Sequence, residues 1–264
     1  MRLYADPHGG EWLPRWHDLV RVIARVHSAR GERQLLDWLG QNDEPVVVTF
    51  VNAQVMNSAA GSRRFFEAVM CADVVLREGM GLALLLRLLN QRPGLNLRAS
   101  ELVPKIMREH AGGTLALFGS QDPGLTRARR LVARRIAPGT ACLLAHGYHD
   151  VAVYARLAAV HRPRVIVLGM PAHRQHEVAA VLRAALTYPC IIVCAGGLIE
   201  ALGEREPPPA AWLEALGLGG LVRALRDPRR LLGKSMVDAA FLHRTLRLAI
   251  EGLAHERPDM SRAG

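Results

Sequence analysis

The stretches RVIVLGMP (164–171) and CIIVCAGG (190–197) decide the fold. Each is a β-branched run that breaks into glycine, and HEVAAVLRAALTYP (176–189) between them has helical spacing. Strands that end in Gly-Met-Pro and Gly-Gly leave side-chain-poor loops where a ligand can approach the backbone.

The same alternation extends outward. PVVVTFVN (45–52), DVVLREGMG (73–81), TLALFGSQDPG (114–124) and TACLLAHGYHD (140–150) read as strands running into loops. SRRFFEAVMCA (62–72), LALLLRLLN (82–90), LTRARRLVARRIAPG (125–139) and VAVYARLAAVHRP (151–163) read as helices. ASELVPKIMREHAG (99–112) is another, with Ser100 as its cap and Glu101 in its first turn. Residues 1–44 read as a loop and helical material, with Trp12, Trp16, Val20 and Ile23 on one face. The expected fold is α/β: a Rossmann-like, largely parallel sheet with helices on both faces, plus a basic helical C-terminal appendage. The divisions fall at 1–44, a core over 45–206, and an appendage over 207–264, with Pro207-Pro208-Pro209 as the hinge. Gly79, Gly119, Gly147, Gly169 and Gly196 all sit at the carboxyl ends of strands, where such sheets bind ligands.

A chain of 264 residues can bury one large core or two small ones. Its net charge of +10 comes almost entirely from arginine, since lysine occurs only at Lys105 and Lys234. That balance favours nucleic acid, phosphorylated ligands or an acidic lipid surface. A GC-rich genome also encodes surface cations as arginine, so charge alone decides nothing. No basic stretch is interleaved with aromatics, which argues against nucleic acid as a partner. Cys71, Cys142, Cys190 and Cys194 show no metal or redox pairing. Cys190 and Cys194 share one strand face about 13 Å apart, too far for a disulfide, and read as reduced thiols. With no signal segment and no apolar run of about 18 residues, the expected location is cytoplasmic, with room for a peripheral membrane contact.

Several chemistries lack their motif. GxGxxG, GxxxxGK[ST] and GxSxG are absent, as is the Asp-x-Asp pair that holds a divalent metal on a diphosphate. An enzyme handling a nucleotide diphosphate without that pair needs backbone N–H groups, helix N-termini and arginine. No cofactor or metal is expected. Glu78, in a half-buried loop at a strand end, is a natural general base because burial raises a carboxylate's pKa. The alternative is a surface glutamate paired with Arg77. Asn52, Gln54 and Asn57 follow the first strand and either orient sugar hydroxyls or cap a turn. His146, His149, His173, His176 and Glu177 match no defined zinc spacing and read as solvated loop residues.

Taken in order, these motifs resemble those of the WecG/TagA/CpsF family of bacterial glycosyltransferases, from Val47 to Leu232. Asn52-Ala53 with Asn57 resembles the first Asn-Ala motif, and Ala72-Asp73 through Gly81 the Ala-Asp-hydrophobic-x-Asp-Gly-x-Gly segment. Phe118-Gly119-Ser120 and His146-Gly147-Tyr148 follow, then Leu168-Gly169-Met170-Pro171 with Arg174-Gln175. Gly196-Gly197, Leu216-Gly217-Leu218 and Arg226-Asp227-Pro228-Arg229 complete the series.

The resemblance implies inverting, metal-independent transfer of a hexose from a UDP-sugar to a polyprenyl-diphosphate-linked sugar. The reaction would serve cell-surface polysaccharide synthesis at the inner face of the membrane. Glu78 would be the base, with Asn52, Gln54, Asn57, Ser100 and Glu101 on the sugars. Gly119, Ser120, Gly147, Tyr148, Gly169, Met170, Pro171, Gln175, Gly196 and Gly197 would form the donor site. Arg205 would join them, and Arg223, Arg226, Arg229 and Arg230 would meet diphosphate or membrane. The resemblance also implies self-association through the core. Departures are concentrated at the chemistry. Glu78 stands where the motif has aspartate, and 96–101 reads NLRASE where the motif has Arg-x-x-Gly-x-Asp, so that its arginine is either missing or shifted to Arg98. They suggest a divergent branch or, as an alternative function, a weakened member that binds UDP-sugar or a partner as a regulatory or assembly module.

Overall fold

The computed structural model describes residues 11–203 and 238–250. The elements run α1 (Trp12–Val22), β1 (Ile23–Ala24), α2 (Ala29–Gly40), β2 (Val46–Val51), α3 (Ala53–Gly61), α4 (Arg63–Met70) and β3 (Val74–Arg77). They continue with α5 (Met80–Leu88), α6 (Ala99–Glu109), β4 (Leu115–Gly119), α7 (Gly124–Leu131), a π turn (Val132–Ile136), β5 (Cys142–Ala145) and α8 (Val151–His161). β6 (Val165–Gly169), α9 (Ala172–Ala185), β7 (Ile191–Cys194) and α10 (Leu198–Gly203) follow, and α11 spans 238–250.

Seven strands form one parallel sheet in the order β1-β3-β2-β7-β6-β4-β5. The inner strands β2, β3, β4, β6 and β7 are buried at every position, the pattern of a sheet covered on both faces. On one face β2, β3, β4, β6 and β7 pack against α2, α6, α7 and α10. On the other, α1, α3, α4, α5 and α11 cover the β2–β3 side, while α8 and α9 cover the rest. The expected Rossmann-like fold is therefore the observed one.

Two elements differ from the sequence reading. The N-terminal stretch contributes β1, whose two residues are too short to show any alternation. Residues 53–61 form α3 where no helix was expected, because AQVMNSAAG is short and ends in glycine, and Asn57 and Ser58 in it favour turns. What begins α3 is its cap: the Asn52 Oδ1 accepts from the Val55 N–H at 3.1 Å. Ser28 and Ser62 cap α2 and α4 in the same way.

The loops after β2 and β7 leave these neighbouring strands for opposite faces, one into α3 and the other into α10. Such a divergence opens a crevice at the carboxyl edge of a parallel sheet. The expected hinge at 207–209, Arg205, and the cluster Arg223, Arg226, Arg229 and Arg230 lie outside the described residues.

Candidate active site

The register of β2 and β3 sets Val51 opposite Arg77, so Asn52 and Glu78 leave adjacent strands side by side. The Glu78 N–H extends the ladder by one bond, donating to the Val51 carbonyl at 2.9 Å. The Glu78 carboxylate is half-buried, and burial raises its pKa above the ordinary carboxylate value. The Ala99 backbone at the start of α6, the nearby Arg98 charge and the Asn52 side chain each offset part of the rise. Glu101 adds to it by like charge. The Asn52 Oδ1 caps α3, and its side chain stands close enough to Glu78 to favour the charged carboxylate.

Arg77 does not pair with Glu78. Its guanidinium is buried and donates to the carbonyls of Pro93, Gly79 and Gly94 at 2.9, 2.8 and 3.0 Å. The Asn96 Oδ1 accepts from the Gly79 N–H at 2.8 Å. Gly79 takes φ +92°, and a Cβ there would meet nothing within 4 Å, so this turn faces open space. Beside it, Asn96, Arg98, Glu101 and Lys105 line a cavity of about 200 Å³. Ser100 lies in the first turn of α6 without capping it; the helix starts one residue earlier, after Arg98. Gln54 is exposed in the first turn of α3. The Asn57 Oδ1 accepts from Arg244 at 2.9 Å and ties α3 to α11.

At the β4–β6 end the glycines serve a different purpose. Gly119 pairs with Gly169 in register, and a Cβ on Gly119 would overlap the Gly169 backbone. One on Gly169 would stand 2.6 Å from Ile199 of α10. The Ser120 N–H donates to the Gly169 carbonyl, and the Gly147 N–H to the Ser120 carbonyl, each at 3.1 Å. Met170 is buried beneath them, and Pro171 precedes α9. Outside this stack, Gln121, Asp122, His146, Tyr148 and His149 line a cavity of about 540 Å³. The rings of His146 and His149 stack with centroids 3.7 Å apart, and Tyr148 is 74% exposed. The Gln175 side chain is buried, and its Oε1 accepts from the Gly196 N–H at 2.8 Å. Gly197 stands open, with nothing within 4 Å of an added Cβ.

The model of the Glycosyl transferase WecG/TagA/CpsF family matches residues 19–254. The chain belongs to this family. It is therefore a glycosyltransferase, with a sugar donor and an acceptor as its substrates, consistent with cell-surface polysaccharide synthesis. No curated sequence relative matches it. Among the described residues no helix is long and apolar enough to cross a membrane.

In this WecG/TagA/CpsF chain, Asn52, Glu78 and Glu101 come together at one end of the carboxyl edge. Gly119, Ser120, Gly147 and Gly169 come together at the other. His176, read as a loop residue, is 1% exposed. Its Nδ1 donates to the Ala172 carbonyl at 2.7 Å, so its Nε2 accepts from the Thr49 hydroxyl at 2.8 Å. The reason is that α9 already starts at Ala172, which turns His176 onto β2. Among the described residues, no three His, Cys, Asp or Glu side chains gather as a metal-ligand set. Asn96 and the Arg77 contacts went unread because they depend on how residues 90–97 pass over the end of β3.

Proposed function

We propose that this chain is an inverting hexosyl- or N-acetylhexosaminyltransferase. It would move the sugar of a UDP-sugar to a polyprenyl-diphosphate-linked sugar in cell-surface polysaccharide synthesis. The observation that carries the reading is the Glu78 carboxylate. It is half-buried, its pKa is raised, and it is bracketed by Asn52, Arg98 and the Ala99 N–H at an open crevice. A base of that kind takes a hydroxyl proton most effectively when its pKa lies nearer the working pH. In the transfer, the acceptor hydroxyl gives its proton to Glu78 as its oxygen bonds to the anomeric carbon. The bond from that carbon to the β-phosphate oxygen breaks, and UDP leaves with the electron pair.

The cavity at the β4–β5 end suits the nucleoside, and the smaller one beside Arg98 and Glu101 suits the acceptor sugar. Five strand intervals of ~4.8 Å separate β5 from β3, about 24 Å, a length scaled to a base, ribose, diphosphate and hexose laid end to end. Two exposed apolar rows support a peripheral membrane position: Met80, Leu84 and Leu88 on α5, and Leu242, Leu246 and Ile250 on α11. The helices adjoin where Phe241 lies against Gly81. Rows at this spacing fit helices lying in a lipid interface, and the α5 row starts two residues past Glu78.

The test is UDP release from UDP-glucose and UDP-N-acetylmannosamine with a prenyl-diphosphate-sugar acceptor. Glu78→Gln should lose at least ~100-fold in turnover, while calorimetric UDP binding persists. Equal turnover by both proteins would remove Glu78 from its role. UDP binding with no transfer across a donor panel would turn the reading toward a binding module. Leu84→Glu with Leu246→Glu should abolish co-sedimentation with phosphatidylglycerol vesicles.

A further inference from the structure

Arg77 ends β3 with 4% of its surface exposed, a buried charge at the end of a strand that is otherwise apolar. Burial depresses its pKa, and the Arg87 charge adds to that. Such a group is costly to keep unless its donors are satisfied. Here the three guanidinium nitrogens each meet a main-chain carbonyl. One belongs to Gly79 in the turn after Glu78, and two to Pro93 and Gly94 in the segment before α6.

That segment is held on its far side as well. The Leu95 N–H donates to the Val26 carbonyl at 2.6 Å, and Gly94, at φ +68°, packs so closely that an added Cβ would lie 2.6 Å from the same oxygen. Asn96 returns to the Gly79 N–H. The chain from Pro93 to Asn96 is thus clamped between β1 and the Glu78 turn. Two and three residues beyond Asn96 stand Arg98 and Ala99, whose charge and backbone both favour the ionised Glu78 carboxylate.

We propose that Arg77 is a positioning residue: its guanidinium straps the Glu78 turn to segment 93–96 and so fixes both the base and the α6 terminus that holds it. This rests on Glu78 being the base. The same strap fixes one wall of the cavity formed by Asn96 and Arg98. Lysine would keep the charge but not the planar fork that reaches three carbonyls at once. Displacement of a reacting group by about 1 Å can cost ~100-fold in rate.

The experiment compares Arg77→Lys, Arg77→Met and Asn96→Ala with wild type, using UDP-glucose and UDP-N-acetylmannosamine as donors. Arg77→Lys should lower kcat about 10- to 100-fold while the donor KM stays within about twofold. Amide exchange should speed up at residues 79 and 94–99 and stay unchanged in β4, β6 and β7. The kcat losses of Arg77→Lys and Asn96→Ala should be less than additive, because both release one strap. Arg77→Lys with wild-type kcat and exchange would overturn the proposal, even if Glu78→Gln is inactive. A uniform rise in exchange with unchanged kcat would also overturn it, leaving Arg77 as a fold element only. If Arg77→Met does not fold, Arg77→Lys and Asn96→Ala still decide. Full activity of Glu78→Gln with local loosening in Arg77→Lys would sink the base and leave the strap.

Discussion

Both ends of the sheet's carboxyl edge carry glycines, yet these residues do opposite things. At the β2–β3 end, Gly79 faces open space and polar side chains crowd a half-buried carboxylate. At the β4–β6 end, Gly119 and Gly169 are filled by each other's backbone and by Ile199, and the nearby N–H groups of Ser120 and Gly147 are bonded internally. Side chains define the first end, while at the second close backbone packing shapes a wall for a cavity. Between them, Gly196 has its N–H held by Gln175, and Gly197 stands open.

The sharpest way to break this contrast is to add one methyl group at each kind of glycine. Gly119 combines φ +136° with an overlap against the Gly169 backbone. Gly119→Ala should therefore cost several kcal/mol, on the order of 3 or more from strain plus overpacking. Against a typical domain stability of about 5–15 kcal/mol, that removes about a fifth to more than half of the total. Gly169→Ala should follow closely, since Ile199 has to move. Gly197→Ala should stay within about 0.5 kcal/mol. Urea denaturation reads all three, and equal midpoints for Gly119→Ala and Gly197→Ala would erase the distinction.

A smaller effect tests the layer beneath the crevice, where Thr49 of β2 meets His176 of α9. Thr49→Val removes the donor and leaves a buried Nε2 acceptor unpaired, at a cost of about 1–3 kcal/mol. The pH dependence has a definite sign. Burial lowers the folded-state pKa of His176, so its contribution is complete above the unfolded histidine value of about 6.5 and fades as pH falls through the folded value. The protein should lose stability between pH 7.5 and 5.5, and His176→Gln should flatten that slope. An unchanged slope in His176→Gln would assign it to other groups.

These two tests also mark what the sequence could reveal. β-branched runs ending in glycine identified the inner strands because those strands are buried on both faces and need no alternation. Glu78, Asn52 and Glu101 were legible because each sits at a strand end or helix start, positions that local chemistry marks. The role of a glycine was not legible, since GS at 119–120 and EG at 78–79 look alike whether a ligand or another backbone fills the space. His176 and Thr49 are 127 residues apart, and only the crossover from β6 to β7 brings them together. Arg77 reads as a surface cation until the path of residues 93–96 is known.

The third test asks whether the β2–β3 end sacrifices stability for function. Glu78 has a raised folded-state pKa from burial, so its favourable contribution exists below the unfolded carboxylate value of about 4.3 and is lost as pH rises through the folded value. Glu78→Gln carries no charge to bury and should melt higher than wild type at pH 7, with the difference closing near pH 4. A lower Tm at pH 7 would mean that the favourable surroundings from Ala99, Arg98 and Asn52 outweigh desolvation.

The finest discrimination comes from Asn52, whose amide serves two masters at once. Asn52→Asp keeps an acceptor for the Val55 N–H and so keeps the α3 cap, because aspartate caps as well as asparagine. It also sets a second carboxylate near Glu78 in place of a neutral amide. Like charge disfavours ionisation, so the Glu78 pKa should rise further and the acidic limb of kcat against pH should move toward alkaline pH. Asn52→Ala loses about 1 kcal/mol of capping energy and the amide beside Glu78, but without added repulsion. Its limb should therefore shift less than that of Asn52→Asp, while its Tm falls more. If the two variants shifted the limb equally, charge at position 52 would not reach the base. The contrast between the two ends would then rest on packing alone.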